Sequence, residues 1–129
     1  MNSESNPLPH PARVVHLDPR ALAQLRELDP DGRHGVLMRV LAAFETSLAR
    51  MLTQLQGQQP AGNAGVVAGV AHTLKSSSAS VGALELAEAC ADVERKLRSG
   101  DASALQLDIS RLISEGESAL AAVTAILRP

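Results

Sequence analysis

An all-α chain is expected, an antiparallel four-helix bundle with one short additional helix on its N-terminal side. Three features lead there. Apolar residues recur at three- and four-residue steps through four long segments, the mark of helices with one buried stripe. Short breaks rich in Gly, Pro, Asp and Ser separate these segments, which makes successive helices antiparallel neighbours. Hydrophobic residues form 45% of the 129 residues but aromatics only 1%, Phe44 alone. The core must then be built from Leu, Val, Ala and Met, which favours helix over sheet.

Residues 1–16 are expected to be a disordered tail, since Pro7, Pro9 and Pro11 alternate with polar residues and nothing periodic could bury a face. Residues 17–129 are expected to form one domain. Asp18 reads as an N-cap with Pro19 at the first helical position, where its missing N–H costs nothing. A short helix follows through Leu22, Leu25 and Leu28 and is broken by Asp29-Pro30-Asp31-Gly32. The second helix is expected from about Arg33 to Gln56, on a stripe of Leu37, Leu41, Phe44, Leu48, Leu52 and Leu55. A loop rich in Gly, Gln and Pro leads to a third helix from about Ala64 to Ser80, and Gly82 marks a sharp reversal. The fourth helix runs from about Ala83 to Arg98 on Leu86, Cys90, Val93 and Leu97, with Ser99-Gly100 as its stop. Asp101 is read as the cap of a fifth helix from about Ala102 to Leu127, whose middle Gly116 weakens by about 1 kcal/mol relative to alanine.

Several function classes fall away on composition. A net charge of −2 and a near absence of aromatics leave no electrostatic or stacking basis for nucleic-acid binding. The single cysteine, Cys90, sits on an apolar stripe and reads as a small buried hydrophobe. No apolar run reaches the roughly 18 residues of a membrane span, and the polar, proline-rich stretch Met1 to Arg13 is unlike a signal peptide. A cytoplasmic monomer is expected. His10, His16 and His34 lie in the tail or loops without ligand spacing, so no metal site is expected.

The informative run is Ala71-His72-Thr73-Leu74-Lys75-Ser76-Ser77-Ser78-Ala79-Ser80-Val81-Gly82-Ala83. At about 100° per residue, Val67, Val70, Ala71, Leu74, Ser78 and Val81 share one apolar sector, and His72 points roughly 150° from its middle. A lone exposed histidine is ordinarily a solvated surface group; the neighbours of this one set it apart. Gly65, Ala68, Gly69, Ser76, Ala79 and Ser80 make a clearing of small side chains that would let another surface approach the ring. Lys75, one turn on, places a positive charge that could pair with an anion such as a phosphoryl group. A neutral imidazole nitrogen is a competent nucleophile toward phosphorus, and phosphoryl transfer needs nearby positive charge and an in-line approach more than an elaborate site. Ser76, Ser77 and Ser78 could be read as phosphorylation sites, but their helical context accounts for them without that.

Glu94 lies on the edge of the fourth helix's stripe, about as far after the Gly82 reversal as His72 lies before it. At roughly 1.5 Å rise per residue the two sit at similar heights on antiparallel neighbours. A carboxylate there could accept a hydrogen bond from Nδ1–H and leave Nε2 free to attack; equally, Glu94 could be a surface residue paired with Arg98 four residues later.

The string His72-Thr73-Leu74-Lys75-Ser76-Ser77-Ser78, followed by Val81-Gly82-Ala83, Leu86, Cys90 and Val93-Glu94, resembles the signature of histidine-containing phosphotransfer (HPt) domains of bacterial two-component relays. The resemblance covers about residues 18 to 127, with the specific motif within 71 to 97. It implies that His72 is phosphorylated by a phospho-aspartate on a response-regulator receiver domain and passes the group to another receiver, downstream of a hybrid sensor histidine kinase. It further implies that Lys75 stabilises the phosphoryl group, that Gly82 makes the turn between the central helices, and that Glu94 faces the histidine. Ala68, Gly69, Ser76 and Ala79 would meet the partner, with Phe44 of the second helix either beside them or in the core. The receiver would bring Mg²⁺ and carboxylates, so no bound cofactor is expected. With no glycine-rich phosphate loop and no room for an ATP-binding domain, no ATP-dependent kinase activity is expected. One departure stands out: the family usually has glycine after the lysine, and this chain has Ser76. That serine also leaves room for a second reading, a non-catalytic helical module that docks receivers or other signalling proteins without transfer.

Overall fold

The computed structural model describes residues 15–59 and 62–129. The expected tail of residues 1–16 lies outside them but for Val15 and His16. Among the described residues there are five helices and no strand: α1 (Pro19–Glu27), α2 (Val36–Gln56), α3 (Ala64–Ser80), α4 (Leu84–Arg98) and α5 (Leu105–Leu127).

Local chemistry explains the boundaries. Asp18 caps α1 by accepting from the Arg20 N–H, with Pro19 leading the helix. The helix stops at Glu27, and Leu28, expected on its buried stripe, is 70% exposed. The second helix begins three residues later than about Arg33, because the buried Asp29 carboxylate accepts the backbone N–H groups of His34 and Val36 and folds that stretch into a loop. Asn63 caps α3 by accepting from the Val66 N–H at 3.1 Å. Helix α5 also starts late, at Leu105. Asp101 accepts from Ser103 N–H and Oγ–H, so it caps a turn and not the helix.

The core follows seven-residue steps, two helical turns each. Leu41, Leu48 and Leu55 of α2 are fully buried, as are Val67 and Leu74 of α3 with Val81 just beyond it, Leu86 and Val93 of α4, and Ile109 and Val123 of α5. Helix α3 packs most extensively on α4, α2 on α5, and the ring closes through α2–α3 and α4–α5 contacts. On the α5 seam the step between Ile109 and Val123 is Gly116. A Cβ there would lie 2.6 Å from Leu52 Cδ2, so this glycine, read as a weak point of α5, leaves the room that Leu52 of α2 fills.

The α3–α4 reversal is built on Gly82, with φ +82°. Ala83 N–H donates to Ser78 O and Gly82 N–H to Ala79 O, the paired bonds of a Schellman ending. Gly82 O in turn accepts from the Asp18 N–H at 2.9 Å. The start of α1 is thereby fastened to the turn that joins the two central helices.

Candidate functional site

Helix α3 buries Val67, Val70, Ala71, Leu74 and Ser78 and turns His72 outward, its side chain 64% exposed. Helix α4 runs back alongside, and its core residue Val93 puts the next residue, Glu94, on the flank that faces α3. The two side chains meet: His72 Nδ1 lies 2.7 Å from Glu94 Oε2. A carboxylate at that distance requires the proton on Nδ1, which leaves the lone pair on Nε2. Among the described residues nothing bonds Nε2.

Glu94 collects more than one cation. Lys75 Nζ donates to its Oε1 at 2.7 Å, and Arg98 Nε stands 3.4 Å from Oε2. Glu94 therefore faces the histidine and also pairs with Arg98, but at 8% exposure it is buried and is not the surface residue of the second reading. The Lys75 hydrogen bond, helped by that of His72 and opposed by burial, lowers the Glu94 pKa from its ordinary 4.5 to about 2. The carboxylate is thus ionised throughout the neutral range.

The placement of Lys75 was only half legible. It sits about 60° back from His72 around α3, toward α4, and in this structure its ammonium rests on Glu94. The same angular arithmetic corrects Ala68. It lies about 40° from His72 on that same flank, and it is 8% exposed. An alanine Cβ is too short to emerge past a packed neighbouring helix, so Ala68 is not part of an open landing surface. Gly65, Gly69, Ser76, Ala79 and Ser80 are exposed as expected. A Cβ on Gly69 would meet nothing within 4 Å, so packing does not require that glycine. Phe44 is a second correction: it is 4% exposed and belongs to the core, with Leu41 and Leu48 on the same inward stripe.

The remaining candidates separate cleanly. Cys90 is fully buried, and burial pushes its thiol up to about 12. His16 and His34 are exposed and remote from the pair, and His10 lies outside the described residues. Among the described residues no group of three or more His, Cys, Asp or Glu is placed to hold a metal ion, and no helix is long and apolar enough to cross a membrane.

The Hpt domain family profile matches residues 39–125, which include the whole site. The structure is similar to the crystal structure of histidine-containing phosphotransfer protein B (HptB) from Pseudomonas aeruginosa PAO1. That similarity has a TM-score of 0.73 at 26% sequence identity, covering 88% of this chain and 95% of that one. No curated protein matches. An outward histidine on the second of four bundled helices, held by the helix that follows, and a family match over most of the chain lead to one conclusion: the chain belongs to the Hpt domain family, the histidine phosphotransfer modules of phosphorelays.

Proposed function

We propose that His72 accepts a phosphoryl group at Nε2 from an aspartyl phosphate of a response-regulator receiver domain and passes it to the aspartate of another. The observation that carries this reading is the 2.7 Å contact of His72 Nδ1 with Glu94 on a ring that is otherwise 64% exposed. The hydrogen bond fixes which nitrogen is nucleophilic, and the exposure leaves that nitrogen open to a partner.

In the forward step the Nε2 lone pair forms the N–P bond in line as the P–O bond to the aspartate breaks, and its electron pair leaves with the carboxylate. The product keeps its Nδ1–H and gains positive charge on the ring. The ionised Glu94 faces that charge and stabilises it. Onward transfer is the same step in reverse. Lys75 spends one of its three donors on Glu94 and keeps two for phosphoryl oxygens. The receiver supplies Mg²⁺ and the acidic residues that hold it. The upstream donor fits the receiver of a hybrid sensor histidine kinase.

The test is transfer from radiolabelled phospho-receivers encoded with this chain. Label should appear on the wild-type protein and be absent from His72→Gln. Label on His72→Gln, or no transfer from any of those receivers, would refute the proposal; binding without transfer would leave a docking module instead.

A further inference from the structure

Glu94 occupies one side of the His72 ring, and the flank of α3 on the other side carries a different polar residue. Ser76 follows His72 by one turn and lies about 40° around α3 on the flank away from Lys75 and Glu94. Its Cβ is about 5–6 Å from that of His72, and its lean toward the N-terminus brings the hydroxyl toward the level of the His72 backbone, within reach of a group carried on the ring. Because Nδ1 is held toward Glu94 on α4, the Nε2 lone pair points away from α4, and Ser76 lies on the flank of α3 away from α4.

The hydroxyl is also uncommitted. Ser77 Oγ turns back on the Thr73 and Leu74 carbonyls, Ser80 Oγ bonds Ser76 O at 3.0 Å, and Ser78 is fully buried. Ser76 alone among these serines is exposed with no hydrogen bond from its side chain among the described residues.

Resting on the phosphoacceptor role of His72, we propose that Ser76 Oγ donates a hydrogen bond to the phosphoryl group on Nε2 and lengthens the life of the phosphohistidine. The phosphoryl oxygens carry most charge before the N–P bond loosens. In the metaphosphate-like transition state part of that charge has passed to the group that departs or attacks. A donor on those oxygens then holds the ground state more strongly than the transition state, and breakdown slows. Ser76 is in this view a contact to the phosphoryl group and not only an obstacle on a docking surface.

The experiment needs no receiver. Phosphoramidate transfers its phosphoryl group to Nε2 and releases ammonia; after its removal, water attacks phosphorus, the N–P bond breaks and its electron pair returns to Nε2. The half-life is followed for wild type, Ser76→Ala and Ser76→Gly. Ser76 is exposed on a helix, so neither variant removes a packed group. Loss of one hydrogen bond should shorten the half-life about three- to tenfold, and equally in both variants. A wild-type half-life in Ser76→Ala overturns the proposal, as does shortening in Ser76→Gly alone, which would mark an effect of size. If wild type takes no phosphoryl group, or His72→Gln takes as much, the role of His72 itself fails and the Ser76 contact falls with it.

Discussion

Gly82 and Gly100 share a left-handed backbone, φ +82° and φ +89°, in different surroundings, and replacing each by alanine separates two costs. At Gly100 an added Cβ meets nothing within 4 Å. Gly100→Ala bears only the left-handed strain, about 1–2 kcal/mol, less about 0.4–1 kcal/mol from a stiffer unfolded chain. The net is about 1 kcal/mol. At Gly82 the Cβ would lie 2.6 Å from Asp18 N, 3.0 Å from Asp18 O and 3.1 Å from Ala21 Cβ. Two of these atoms are backbone and the third is a buried alanine, so none can rotate away. The start of α1 must move instead, which breaks the 2.9 Å bond from Asp18 N–H to Gly82 O and loosens the buried Leu17. Overpacking of this kind costs about 1–3 kcal/mol, so Gly82→Ala should lose about 2–4 kcal/mol in all.

Thermal melting by far-UV circular dichroism, with urea unfolding as a second measure, reads the difference directly. For a domain of this size the Gly82→Ala midpoint should fall below that of Gly100→Ala by about 5–15 °C. Equal losses, to within about 0.5 kcal/mol, would show that strain alone acts at both sites. The fastening of α1 to the central turn would then carry no stability.

Two further outcomes follow from titration. The Glu94 pKa lies below its ordinary value, so its contribution to stability is present above pH 4.5 and lost as pH falls toward about 2. The melting-point gap between wild type and Glu94→Gln should shrink across that window, and a gap independent of pH would refute the ion pairing. Cys90 is held as a thiol up to about 12, so a thiol-disulfide reagent should leave it unmodified in the native protein and react fully after denaturation; native labelling would contradict its burial.

Much of this molecule was legible because its helices obey simple periods. The bounds of α3, the N-cap of α1 and the outward direction of His72 all follow from spacing and capping chemistry. The meeting of His72 and Glu94 follows from equal distances on either side of one reversal. What stayed hidden depends on a third dimension. Whether an alanine 40° from His72 is covered depends on how closely α4 packs, and Ala68 is covered. Whether Gly116 is a flaw or a fit depends on Leu52 across the bundle. The starts of α2 and α5 were misjudged because the Asp29 carboxylate gathers the His34 and Val36 N–H groups into a loop, and because Asp101, read as the cap of α5, accepts from Ser103 in a turn ahead of the helix; a single sequence does not rank such competitors.

The turn and the site are one mechanical problem. His72 and Glu94 sit on separate helices joined by Gly82, each roughly 15 Å of helix away from it. Over that lever arm a splay of about 4° between α3 and α4 moves the two side chains about 1 Å apart. A displacement of that size stretches a 2.7 Å hydrogen bond beyond useful range. The angle must therefore be held closely. The long α3–α4 packing sets it, and three features of the turn reinforce it: the Schellman bonds, the buried Val81 and Ala83 on either side of Gly82, and the Asp18 N–H from the start of α1. The short first helix bonds the turn and not the histidine, yet through Asp18 it braces the joint between the two helices that carry His72 and Glu94. Loosening that joint should blur the tautomer of His72 before it unfolds the bundle. Gly82→Ala should consequently lose phosphoryl uptake at temperatures where its helix content is still intact.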